Sequence, residues 1–281
     1  MTGTLLSFGH GYSARALSRL LAPQGWRITG TTRNPEQVQD IRASGAEPVV
    51  WPGEEPSLEG VSHVLISTAP GAAGDPVLAA LGEEIAARAG QFEWVGYLST
   101  TAVYGDHQGG WVDETTPPAP TAERGRWRVK AEEQWAAVDG LPLHIFRLAG
   151  IYGPGRGPFS KLRRGGLRRI IKQDQVFSRI HVDDIAQVLA ASMARPDAGA
   201  IYNVCDDEPV PPQDVIGYAA ELQGLPLPPA VPFEEADMTP MARSFYNENK
   251  RVRNDRIKED LGVELIYPNY RVGLEALVDQ I

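Results

Sequence analysis

Six residues near the start, Gly9-His10-Gly11-Tyr12-Ser13-Ala14, restrict the fold of this chain more than any other stretch. Their neighbours give them meaning. TLLSF, just before, is an apolar run of strand length. Just after, Ala14, Leu17, Leu20 and Leu21 recur at helical spacing until Gly25. A G-x-G-x-x-A pattern between a strand and a helix gives each small residue a task. Gly9 makes the tight turn, Gly11 lets a pyrophosphate approach the backbone, and Ala14 allows the helix to pack closely on the strand. Tyr12 and Ser13 place unpaired N–H groups of the helix start against that negative charge.

The alternation continues down the chain. Strands are expected at 26–31, 46–51, 63–69, 92–100 and 143–153. Helices are expected at 34–44, capped by Asn34, and at 75–89 and 121–139. Short apolar strands separated by helices predict an α/β fold, a doubly wound parallel sheet of Rossmann type covered on both faces. After Gly153 the rhythm changes. A helix is expected at 183–195 with Asp183 as its cap, a strand in AIYNVCD, and a last helix around 270–281. We divide the chain into a dinucleotide-binding domain, 1–204, and a small substrate or cap domain, 205–281. Residues 154–180 partly contribute to the cleft.

The end of the second strand bears on the cofactor. NAD sites usually place an acid there for the ribose hydroxyls. Here Thr31-Thr32-Arg33-Asn34 offers none before Glu36. Arg33 suits an adenosine 2′-phosphate, with a threonine hydroxyl beside it, so NADP is expected over NAD. Thr68 and Ala69, beyond the fourth strand, fall beside the ribose and nicotinamide half. Several classes are disfavoured. A net charge of −9 argues against a nonspecific nucleic-acid surface, although Lys161, Arg163, Arg164, Arg168, Arg169 and Lys172 make a local basic cluster. No run of 18 apolar residues is present to span a membrane. The N-terminal residues read as a strand rather than a leader, so a cytoplasmic location is expected. The five histidines and the lone Cys205 show no metal-ligand spacing, and no metal is expected.

The chain resembles the extended and atypical short-chain dehydrogenase/reductase superfamily, with its NAD-dependent epimerases and dehydratases. The likeness rests on the glycine motif, LSTTAVYGD at 98–106, RLAGIYGPGR at 147–156 and RIHVDDIAQVLAASM at 179–193. NKRVRNDRIKEDLG, near the end, is similar to the bacterial YeeZ-type proteins. The resemblance implies a Ser or Thr at Thr100 and a Tyr-x-x-x-Lys pair on the following helix. The lysine falls on Lys130 and the tyrosine on Arg126, a departure from the pattern. Arginine stays protonated and is a poor proton carrier, but it would bind an anion or steady an oxyanion. Tyr104 and His181 are further candidates, each also readable as structural.

Two functions follow. One is an NAD(P)-dependent oxidoreductase or epimerase-like enzyme, with Thr100, Lys130 and Arg126 at the reaction centre. Its substrate would be a small carbonyl, alcohol or sugar nucleotide. The other is a non-catalytic NADP(H)-binding sensor or regulatory protein that has lost proton transfer. A monomer or a homodimer fits either.

Overall fold

Seven parallel strands form the central sheet: β1 Thr4–Phe8, β2 Arg27–Thr32, β3 Glu47–Val50, β4 His63–Ile66, β5 Trp94–Thr100, β6 Leu143–Leu148 and β7 Ile201–Val204. They lie in the order β7-β6-β5-β4-β1-β2-β3. The computed structural model describes residues 2–165 and 167–278, and the side chain of Arg164 is outside the description. The chain works outward from β1 in both directions, so the order reverses between β1 and β4. Such sheets collect ligands beyond the carboxyl ends of the strands at that switch. The expected doubly wound fold is borne out.

The central strands β1, β4, β5 and β6 are buried along almost their whole length because both faces are covered. Alternate side chains feed two cores. Leu5 and Phe146 pack with α1 (Tyr12–Leu21) and α6 (Val182–Ala194) on one face. Leu6 and Ile145 pack with α3 (Pro76–Ala87) and α4 (Glu123–Ala136) on the other. The second strand is followed by a 3-10 turn, Pro35–Gln37, and then α2, Val38–Ala43. Asn34 Oδ1 accepts from Glu36 N at 3.0 Å, the predicted cap. α5 is Pro158–Arg164 and α7 is Pro212–Leu222. A separate apolar cluster joins Tyr152, Phe159 and Leu162 to Val215 and Ala219 of α7 and to Leu274 and Leu277 of the helix Tyr270–Val278. Ile257, Leu261 and Val263, by contrast, belong to the core under β1 and α6.

Two expectations are corrected, and part of a third lies outside the described residues. The strand at 143–153 is two strands. Ala149 N still bonds Val204 O at 3.0 Å, but Gly150 N bonds Ser178 O at 3.1 Å, and Gly150–Tyr152 pairs with Arg179–His181 away from the main sheet. Helix α6 is capped by His181, whose Nδ1 accepts from Asp183 N at 3.2 Å, so Asp183 sits inside the first turn. The last helix is described to Val278, and residues 279–281 of the expected span lie outside the described residues.

Candidate functional site

The turn after β1 contains two glycines that are needed for different reasons. Gly9 has φ +72°, and a Cβ there would come within 3.0 Å of Thr68 N and Cγ2. Its N–H donates to Thr31 Oγ1 at 2.9 Å, and His10 N donates to Thr31 O at 2.7 Å. The His10 ring is buried over Gly30, where any Cβ would strike it, with Ser18 Oγ at 3.1 Å. Burial, then Arg15, lowers its pKa to about 4, which keeps the ring neutral beneath the turn.

Gly11 is under no such constraint. Its φ of −91° and ψ of −152° suit any residue, and a Cβ would meet only Gly9 O, at 3.7 Å. The glycine leaves open space in front of the first turn of α1. That turn has no side-chain cap and no acidic residue, while Ser13 and Ala14 are buried beneath it. Free amides, a positive helix end and vacant room suit the pyrophosphate of a dinucleotide.

At the adenosine end, Thr32 Oγ1 accepts from Asn34 N at 3.1 Å and donates to Gln37 Oε1 at 3.0 Å. It therefore shapes the turn that carries Arg33. Arg33 itself is exposed and has no hydrogen bond or ion pair among the described residues. Thr68 Oγ1 is buried without a partner among the described residues, and Ala69 is exposed beside it.

At the expected reaction centre, α4 turns a different arginine inward. Gly125, Ala131, Glu132 and Trp135 form the buried face of α4. A Cβ on Gly125 would lie 3.0 Å from Ala102 O, so the helix starts hard against the turn that follows β5. Arg126 and Lys130 are both exposed. Arg126 donates to Thr121 O at 2.9 Å, and Lys130 has no hydrogen bond or ion pair among the described residues. Between them, half-buried, Arg128 turns inward. One of its nitrogens, Nη1, donates to Leu98 O at 2.7 Å, Tyr97 OH at 3.1 Å and Thr68 O at 3.3 Å. Two helical positions amount to a rotation of about 200°, which is why one register faces solvent and the other the sheet. With Arg128 in the lysine position the tyrosine position falls on Arg124, so neither register offers a tyrosine. Arg128 has no carboxylate partner among the described residues. Thr100, partly buried, accepts from Ala102 N at 3.2 Å and lies at the end of β5.

A polar network, which the sequence did not suggest, underlies this edge. Ser99 Oγ donates to Glu132 Oε1 at 2.5 Å, and Glu132 pairs with Arg147 at 2.8 Å. Arg147 donates to Tyr104 OH at 3.0 Å, and that hydroxyl donates to Asn203 Oδ1 at 2.7 Å. Tyr104 is fully buried, and burial raises its pKa, so it is a structural link rather than an accessible acid. The readable signal was Glu132, four residues after Arg128 and hence on the same face. His181 is also buried. Its Nδ1 caps α6, and its Nε2 has no partner among the described residues. In the basic cluster, Arg169 and Lys172 donate to the carbonyls of Pro228 and Tyr246. The described residues contain no group of three potential metal ligands and no helix long and apolar enough to cross a membrane.

Residues 84–205 match the NAD dependent epimerase/dehydratase family, so the chain carries an epimerase-family domain. Over nearly its full length it is homologous to Protein YeeZ of Escherichia coli K12. Identity is 28% over 277 residues, covering 93% of this chain and 95% of YeeZ. A functionally unknown conserved protein from Silicibacter pomeroyi has 81% identity and a TM-score of 0.98, with 99% of each chain covered. The fold also matches the human epimerase family protein SDR39U1 solved with NADPH. There the TM-score is 0.76 at 17% identity, covering 99% of this chain and all of that one (100%). The family match begins after the glycine turn, so the case for the cradle rests on its own geometry.

Proposed function

We propose that this chain binds NADP(H) in preference to NAD(H) and is an oxidoreductase or epimerase-type protein of the cytoplasm. It would act, as a monomer or homodimer, on a small carbonyl, alcohol or sugar-nucleotide substrate. Gly11 carries the reading: neither backbone nor packing requires a glycine there, and it stands in front of an uncapped helix start that suits a pyrophosphate. The Gly9–Ala14 turn would hold the pyrophosphate, Arg33 the 2′-phosphate, and Thr68 and Ala69 the middle of the dinucleotide. Residues 205–281, with 154–180, would cap the substrate. When bound, the nicotinamide supplies hydride exchange with a carbonyl or alcohol carbon.

The chain's own contribution would be electrostatic. Thr100 would donate to the substrate oxygen. Arg128 would steady negative charge there, the role expected of Arg126, and Lys130 would polarise the same oxygen with Thr100. A guanidinium stays protonated, so Arg128 stabilises charge without carrying a proton. A second reading, a non-catalytic NADP(H) sensor, is favoured by the arginines that occupy both registers of α4.

Two measurements test these readings. Arg33→Ala should weaken NADPH binding by about tenfold or more and leave NADH within about twofold. Equal losses in calorimetry would defeat the NADP assignment. In a carbonyl and sugar-nucleotide screen with NADPH, Arg128→Ala should lower turnover by about 100-fold, the usual cost of one oxyanion donor. Tight NADPH binding without any turnover, together with a partner that responds to cofactor state, would support the sensor.

A further inference from the structure

We propose that Arg156 is a second anion-binding group of the cradle, facing the glycine turn from across the cleft and neutralising the same pyrophosphate. The inference rests on the dinucleotide reading of the cradle and adds a residue from a different part of the chain. Residues 153–157 read Gly-Pro-Gly-Arg-Gly and follow the Gly150–Tyr152 strand. Gly153 N bonds Arg156 O at 2.9 Å and Arg156 N bonds Gly153 O at 3.0 Å, closing a four-residue turn. Gly155, at φ +70°, makes that turn possible.

The turn is fastened to the first residue of α1. Tyr12 OH donates to Pro154 O at 2.9 Å. Gly153 is packed so tightly there that a Cβ would lie 2.6 Å from Tyr12 OH and 2.8 Å from Val182 Cγ1. The Arg156 guanidinium sits 5.6 Å from the centre of the Tyr12 ring. The turn that carries it is thus fastened to the residue that opens α1, next to Gly11.

The surrounding charges point to an anion. Arg156, Arg19 and Arg15 lie near the Tyr12 phenol, as does Asp183. Arg15 is held by Asp40 at 2.8 Å, and Asp183 lies 3.6 Å from His181 Nδ1. Arg156 is exposed and has no carboxylate within ion-pair distance among the described residues. A cation carried on a short turn that is fastened to the first residue of α1, and without an ion-pair partner among the described residues, suits a phosphate at that helix end. The turn, helix and ring contact would then clasp the pyrophosphate from two sides.

The experiment compares two ligands by calorimetry. ADP-ribose contains the pyrophosphate but no 2′-phosphate. Adenosine 2′,5′-bisphosphate contains the 2′-phosphate but no pyrophosphate. Arg156→Ala should weaken ADP-ribose by about tenfold and leave the bisphosphate within about twofold, while Arg33→Ala should do the reverse. Arg156→Lys should retain part of the ADP-ribose affinity, because a point charge still meets a phosphate. Arg156 is exposed, so unchanged melting of the variant confirms an intact fold. ADP-ribose binding equally well to Arg156→Ala and to the natural chain overturns the inference and leaves the cradle standing. If the natural chain binds neither ligand, the cradle reading fails as well.

Discussion

Replacing Gly11 by aspartate should stabilise the protein and abolish its cofactor binding. Residue 11 occupies the N-cap of α1 in an extended conformation open to any side chain. Aspartate is among the best residues at that position, and its charge complements the helix dipole, for a gain of about 0.5–1 kcal/mol. The same carboxylate would fill the open space and repel a pyrophosphate, so NADPH affinity should fall by at least about 100-fold, or about 2.7 kcal/mol. Gly9→Ala should do the opposite. At φ +72°, with Thr68 already 3.0 Å from the new Cβ, it should cost about 1–2 kcal/mol of stability through strain. Melting curves and titration calorimetry on the two variants separate a structural glycine from one reserved for a ligand. Undiminished NADPH binding by Gly11→Asp would remove the basis for the dinucleotide site.

The sequence exposed the parts of this fold in which a local pattern and the final environment agree. β1 and β4 are buried on both faces and read as largely apolar runs. Gly25 and Gly45 end their helices where a left-handed backbone is needed. The break after Leu148 was invisible, because LAGIY is as apolar as the strand before it. What changes there is the partner strand, which hydrophobic periodicity does not encode. The inward face of α4 is hard to read for a different reason. In ERGRWRVKAEEQW most positions are charged, so polarity does not separate the inward face from the outward one. The lysine identity drew the assignment to 126 and 130. The small residue Gly125 and the buried pair Glu132–Arg147, both set by long-range packing, turn Arg128 toward β5 and leave Arg126 and Lys130 exposed. Arg156 was legible only as part of a family-like segment. Its proximity to Tyr12 joins residues 144 positions apart, a contact no local motif specifies.

The buried network beneath the site should account for an unusually large share of stability. Arg147 and Glu132 are both almost wholly inaccessible and pair at 2.8 Å on the inner side of α4. Arg147→Met would leave the Glu132 carboxylate uncompensated, with only Ser99 still donating to it. The expected loss is about 3–5 kcal/mol, against a total of about 5–15 kcal/mol for a typical domain. Adding Glu132→Gln should recover part of that loss, since a neutral amide is far cheaper to bury than an unpaired charge. Recovery would be incomplete, because Arg147 also donates to Tyr104 and that hydroxyl holds Asn203 on β7. Urea unfolding of the single and double variants gives the coupling directly. A loss below about 1 kcal/mol for Arg147→Met would show that water reaches the pair, since that is the range of a solvent-exposed ion pair. In that event the network could not be what holds α4 and its inward Arg128 in register against β5.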